Sequence, residues 1–329
     1  MVGELEASHS EVTPATSTVP EIITPHLGFT FDYSHKGPGI KVATVPAGTP
    51  GSYEKTQIKP GEYILAINGT DVTLNEKLYQ LINDRQDREF DFLINDQPKK
   101  DGARKLRYKP LAATEWDELN YRNRVERSRK YVENNGCACL GYLHIPAMSA
   151  KDQLQFEREA YEYMAGKAAM IIDVRFNRGG NISDTLINML ERRQHGYTHG
   201  RDDVPEPSPS RAWDKPVIVL MNEHSYSNGE MFPYAMRQRG LAKLVGMATP
   251  GYVIWTDELK LVDGTGARMP QSGAFRLDGT NEENIGEQPD IQVPLSPEDW
   301  LAQRDPQLDK AIELLTPKAE TKAPETDEP

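Results

Sequence analysis

Two cysteines in 329 residues are too few for a disulfide framework. Cys137 and Cys139 stand one residue apart, a spacing that favours neither a disulfide nor the C-x-x-C pattern of metal and redox sites. Positive charge is in deficit: 38 Lys and Arg against 50 Asp and Glu leave a formal charge of −12. A nucleic-acid or anionic-membrane surface needs a basic patch to displace counterions, so neither partner is expected. No apolar run approaches the roughly 20 residues that span a bilayer. The opening MVGELEASHS lacks the basic region and apolar core of a secretory leader. A cytoplasmic setting is therefore expected, or a periplasmic one if a leader ahead of Met1 has been removed. The HExxH, EF-hand and P-loop patterns are all missing, so neither a metal nor another cofactor is expected.

What is present is the composition of a globular chain, 37% hydrophobic and 27% charged, long enough for two domains. Residues 1–25 read as an N-terminal arm, extended and rich in Thr, Ser and Pro from Val12 to Pro25. Short strands follow in LGFTFDY, GIKVATV, GEYILAING and DREFDFLIN, where apolar and polar residues alternate in the second and fourth. LNEKLYQLIND is a helix between the last two. The stretch KPGEYILAINGTDV, with turns on both sides of a strand, resembles part of a PDZ domain, and the resemblance spans residues 26–110. It implies a module that receives an extended peptide at a sheet edge. Residues 111–135 read as an exposed connecting helix. From 136 to 316 the pattern changes. CLGYLHI, AMIIDVR and KPVIVLMN are continuous apolar runs, and helical periodicity lies between and after them. Such alternation predicts an α/β domain with a mainly parallel sheet. Residues 317–329, rich in Pro, Glu, Thr and Lys, predict a disordered tail.

Ligands of parallel sheets bind beyond the carboxyl ends of the strands. Two strand ends stand out: DVRFNRGG, ending at Gly180, and NEHSYSNGEMF, residues 222–232. In the second, the chain leaves a buried strand and starts a helix near Gly229. A serine at that turn, Ser225 or Ser227, stands at the top of the sheet, and the amide after it can face a developing oxyanion. The glycines of the first let a backbone approach a substrate closely. A nucleophile with two oxyanion donors is what acyl transfer needs. Taken singly, each stretch has an ordinary reading, as a helix cap or a plain turn.

DVRFNRGGN, NEHSYSNGEMF and GLAKLVGMATPG together resemble the catalytic core of the tricorn proteases, within the wider group of tail-specific serine proteases. IGEQPDIQVPLSPEDW and DPQLDKAIELL fit the end of that domain, so the resemblance runs from Met1 to about Thr316. It implies a crotonase-like, ClpP-like serine peptidase domain acting on oligopeptides or unfolded proteins, and an acyl-enzyme on Ser227, the serine directly before Asn-Gly. It also implies the catalytic half of a longer protein that assembles into homo-oligomeric rings. Tail-specific proteases use a lysine downstream of the serine, but MATPGYVIW has none there. The tricorn branch uses a histidine from a distant segment, and ASHSEV resembles that segment. The resemblance therefore puts the base on His9, its companion on Ser8 and the supporting carboxylate on Glu283 of GTNEENIGEQPD, with Glu282 as a rival. The oxyanion falls between the N–H groups of Gly180 and Asn228, the latter in place of an aspartate. The position that selects substrate side chains falls on Thr198, where the family has an aspartate, with Asp202 and Asp203 a few residues on. A basic P1 preference is therefore not expected over a neutral or hydrophobic one. His144, His195 and His199 are expected to pack or face solvent. His9 is expected on an arm with few anchors, which predicts low activity for this polypeptide alone. The alternative reading is a non-catalytic module that binds peptides in the PDZ-like groove.

Overall fold

The computed structural model describes residues 2–15, 21–201, 205–209 and 212–316. The tail read at 317–329, and Asp202 and Asp203, lie outside them. The chain divides into two compact units: Met1–Thr16 with Ser128–Pro329, and Ser17–Arg127. The first sixteen residues thus belong to the same unit as the far end of the sequence.

The unit of Ser17–Arg127 is built on antiparallel pairing. Strands Thr30–Phe31, Ile40–Thr44, Tyr63–Ile67, Phe90–Asn95 and Arg104–Tyr108 neighbour one another in that order, and Thr70–Asp71 turns back on Tyr63–Ile67. Alternation on Phe90–Asn95 sends Phe90 and Phe92 inward to join Phe29, Ile40, Ile64 and Tyr108 in the core. The Tyr108 hydroxyl, buried with them, donates to the Leu27 carbonyl at 2.6 Å, which removes the cost of an unpaired phenol. The helix Glu76–Ile82 starts at Asn75, whose side chain accepts from the Lys77 N–H, and the longer helix Ala113–Asn135 begins in this unit.

The other unit carries a five-stranded sheet in the order Ile291–Gln292, Lys243–Gly246, Val217–Met221, Ala169–Asp173, Leu140–His144, with every ladder parallel. Three of its strands, Leu140–His144 at one edge with the adjacent Ala169–Asp173 and Val217–Met221, come from the apolar runs, and all fifteen of their residues are buried, as a sheet covered on both faces requires. Helices Ala150–Glu162, Ser183–Leu190 and Asn228–Gln238 connect the strands. The architecture is mixed α/β with a parallel sheet.

Three features depart from the sequence reading. Cys137 and Cys139 are joined by a disulfide. The chain turns between them, with the Leu140 N–H on the Cys137 carbonyl, and their Cα atoms come to 5.0 Å, inside the range a disulfide spans. An antiparallel hairpin, Ile254–Lys260 with Gly266–Gly273, occupies a stretch to which no strand was assigned. And the N-terminal arm is anchored. Glu11–Thr13 adds as a third strand to that hairpin, Glu11 opposite Arg268 and Thr13 opposite Gly266, while the Asn284 side chain donates to the Glu6 carbonyl at 2.7 Å. The expectation of an arm with few anchors is corrected, because its partners lie more than 250 residues away in sequence.

Candidate active site

The strand Val217–Met221 ends at Asn222, and the chain turns sharply before the helix Asn228–Gln238. Within that turn the two serines differ. Ser225 is fully buried. Its hydroxyl donates to the Val174 carbonyl at 2.9 Å and accepts from the Asn222 N–H at 3.2 Å. It is a brace between two strand ends, with no lone hydroxyl to offer a substrate. Ser227 is half-buried and caps the helix with φ 55° and ψ −123°, a conformation that a non-glycine residue holds only when its surroundings impose it. Gly179 packs against it so closely that a Cβ there would stand 2.7 Å from the Ser227 Cβ. That contact, at φ +79°, explains the first glycine of the pair.

The second glycine has a different cause. Gly180 lies beside Met148, and a Cβ on it would meet the Met148 carbonyl oxygen at 2.0 Å. Met148 N–H donates to the Gly179 carbonyl, and Asn181 N–H to the Met148 carbonyl. These bonds bracket Gly180, whose own N–H makes no hydrogen bond among the described residues. The Asn228 N–H is likewise free, as the first donor of its helix. The Asn228 side chain accepts from the Ser183 N–H at 2.9 Å and donates to the Ser183 hydroxyl at 2.8 Å. It therefore ties together the starts of two helices, and its main-chain N–H remains the group that can face a ligand.

Ser8, His9 and Glu283 form one hydrogen-bonded cluster. The Glu283 carboxylate accepts from the Ser8 N–H at 2.5 Å, the Ser8 hydroxyl at 3.1 Å and the Val253 N–H at 2.7 Å. The Ser8 hydroxyl also meets His9 Nδ1 at 2.8 Å. A hydroxyl has one proton. Given to Glu283, it leaves the Ser8 oxygen to accept from Nδ1–H, which places the lone pair of neutral His9 on Nε2. His9 sits at φ 61°, in the left-handed region. Burial lowers its pKa from the ordinary 6.5, and the Arg268 guanidinium lowers it further against the opposing pull of Glu283 and Glu11. A neutral ring at neutral pH is the form that accepts a proton.

Glu230 was not singled out by sequence reasoning. Buried under the turn, its carboxyl accepts from the N–H groups of Ser227 at 3.2 Å, Gly251 at 2.6 Å and Tyr252 at 2.7 Å. Burial raises its pKa in spite of these donors. The signal was legible: Ser227 and Glu230 form an S-x-x-E capping pattern. Its importance lies in what it connects. The Tyr252 N–H goes to Glu230, which holds Ser227, and the next N–H, of Val253, goes to Glu283, which holds Ser8. The segment 251–253 thus links the two groups of residues through consecutive amides.

The remaining positions separate. Glu282 pairs with Arg276 at 3.6 Å, outside the Ser8 cluster. Thr198 is exposed and pairs with Glu206 in a small hairpin. It has no part in these hydrogen bonds. His144 is buried, with Nε2 at 3.2 Å from the Arg175 carbonyl. His195 and His199 are exposed. His224 stacks on Phe176 and meets the Tyr226 hydroxyl at 2.9 Å. Among the described residues no group of three or more His, Cys, Asp or Glu could hold a metal ion, and no helix is long and apolar enough to cross a membrane.

Known proteins share this arrangement of sequence and fold. Residues 139–293 match peptidase family S41. A tricorn protease homolog of Saccharolobus solfataricus is 33% identical over 95% of this chain, and the tricorn protease of Thermoplasma acidophilum is 35% identical over 60% of it. The crystal structure of the tricorn protease superposes with a TM-score of 0.81 at 28% identity, over 95% of this chain. The chain spans 30% of the Saccharolobus protein, 18% of the Thermoplasma protein and 31% of the solved chain. It is accordingly a tricorn protease homologue that carries a peptidase family S41 domain.

Proposed function

We propose that this chain hydrolyses peptide bonds as a serine endopeptidase. Ser227 Oγ attacks the scissile carbonyl, and His9 Nε2 takes its proton. The Ser8 hydroxyl and Glu283 hold the ring in the Nδ1–H tautomer and stabilise the imidazolium that forms. The tetrahedral oxyanion lies between the N–H groups of Gly180 and Asn228. His9 then returns the proton to the leaving amine, and water repeats the sequence on the acyl-enzyme. The observation that carries this reading is the hydrogen-bonded series Glu283–Ser8–His9, tied through Val253 and Tyr252 to the glutamate that holds Ser227.

The antiparallel unit supports a PDZ-like reading through its strand–turn–strand around Tyr63–Ile67 and the helix Glu76–Ile82. As such it would receive an extended peptide at a sheet edge. The parallel sheet with a strained serine at its carboxyl edge is compatible with the crotonase-like class. Substrates would be oligopeptides or unfolded chains.

A fluorophosphonate probe followed by peptide mass mapping tests the reading together with hydrolysis of a denatured protein. Covalent label on Ser227, and hydrolysis that disappears in Ser227→Ala, are expected. Peptide binding with neither label nor hydrolysis would replace the peptidase with the non-catalytic module.

A further inference from the structure

Five aromatic rings run in series across one face of the catalytic unit. Trp300 lies 6.4 Å from Phe176, Phe176 stacks on His224 at 5.3 Å, His224 meets Tyr226 edge-on at 6.3 Å, and Tyr226 stacks on Tyr252 at 5.6 Å. They come from four separate segments. Trp300, Tyr252 and Phe176 are 63%, 45% and 40% exposed, so the series is an open surface and no part of the core. Folded monomers rarely leave contiguous apolar surface without a use.

The position of the series identifies the use. Tyr226 directly precedes Ser227. Tyr252 donates its N–H to Glu230, the group that accepts from the Ser227 N–H. Phe176 belongs to the turn that leads to Gly180, and its own N–H is held by Asn222, at the end of the serine's strand. Phe176, His224 and Tyr226 are therefore mounted on the segments that carry the nucleophile and an oxyanion donor, and Tyr252 on the segment bonded to Glu230. What passes across Ser227 in a peptidase is an extended chain. In an extended chain, side chains on one face recur roughly every 6.6 Å, twice the rise per residue. The ring-to-ring steps of 5.3 to 6.4 Å are close to that repeat.

We propose that this series is a substrate subsite for large apolar or aromatic side chains at alternating positions of an extended peptide. The proposal rests on the peptidase reading and names its substrate class. Phe or Tyr side chains would lie on the exposed faces of Trp300, Phe176 and Tyr252, where offset or edge-on ring contacts add to the area removed from water. Specificity would come from the sequence on one side of the scissile bond, carried by rings and not by a charged residue.

The test uses the full chain with Ser227→Ala, so that bound peptide is not consumed. Fluorescein-labelled, C-terminally amidated decapeptides are compared by anisotropy, one with Phe at alternate positions and one with Ala there. The Phe peptide is expected to bind about tenfold tighter, about 1.4 kcal/mol. Trp300→Ala and Tyr252→Ala should each bring the ratio towards one, and Leu154→Ala, an exposed apolar residue outside the series, should leave it unchanged. Equal affinity for the two peptides, or a ratio that survives both ring substitutions, overturns the proposal. Fluorophosphonate labelling of the unsubstituted chain separates the two readings. Label on Ser227 without a Phe preference removes the subsite alone. A Phe preference lost with the rings, but without label, removes the peptidase alone.

Discussion

The two halves of the candidate site are held in opposite ways. Ser227 stands on buried structure: a strand with no exposed residue, a glycine packed against its Cβ, a buried glutamate beneath its N–H and a buried serine bracing the strand ends. His9 lies just ahead of an exposed three-residue strand, Glu11–Thr13, and is held through Ser8, which bonds the Glu283 carboxylate. A nucleophile can be built into a core, because one local conformation defines it. A base brought from the far end of the chain must be docked, and here a glutamate with three donors docks it. Damage to the first half should threaten folding and chemistry together. Damage to the second should remove chemistry and leave the fold.

Ser227→Ala should abolish hydrolysis, a loss of about a millionfold if the serine and histidine act as a unit. His9→Ala should cost a similar factor, with unfolding free energy changed by only about 1 kcal/mol, since the ring is half-buried on the arm and outside the core. Peptidase assays and thermal melts on the same samples check both. The core gives the reverse pattern. Arg175 is buried between Asp173 and Asp305, at 2.7 and 2.9 Å. Burial pushes the Asp173 carboxyl up, yet Arg175 and the Tyr142 hydroxyl hold it well below the usual carboxylate range. Asp173→Ala leaves a buried guanidinium without that partner and should cost about 3–5 kcal/mol, read by denaturant unfolding.

Glu283→Gln keeps the size of the docking group but replaces one carboxylate oxygen with a donor. Hydrolysis should fall about a hundredfold, the scale of a misplaced catalytic group, mainly in kcat. A loss confined to KM would show that Glu283 binds substrate and does not position His9. The smallest effect concerns pH. With His9 as the proposed base its neutral form is the active one, so kcat/KM should rise as pH rises through its pKa, which burial and Arg268 hold below 6.5. Arg268→Ala removes a repelling charge, and the acid limb should move up towards 6.5. Movement in the other direction would contradict the assignment of His9 as the base. The same depressed pKa means that stability contributed by neutral His9 is complete above 6.5 and is lost as pH falls through the folded-state value.

Much of this was legible in the sequence because burial writes itself into it. The apolar runs at 140–144, 169–173 and 217–221 read as buried strands, and the ends of the last two located the two glycines and Ser227. The hairpin 254–273 was missed because most of its residues are exposed and no apolar alternation marks it. Ser8, His9 and Glu283 were named only through resemblance to the tricorn proteases. No local pattern ties residue 8 to residue 283, and what joins them is a fold-level strand addition by Glu11–Thr13. Glu230 was visible as a capping pattern, but its link to Gly251 and Tyr252 was not. The rings at 176, 224, 226, 252 and 300 form a series only after folding.

The central claim is that His9, carried by the arm, activates Ser227. The rate of fluorophosphonate labelling at Ser227, compared between the chain as it stands and His9→Ala at pH 7.5, tests it most directly. The account predicts label on Ser227 that slows by orders of magnitude in His9→Ala. Label at the same rate in both would contradict it and leave a reactive serine whose base lies elsewhere.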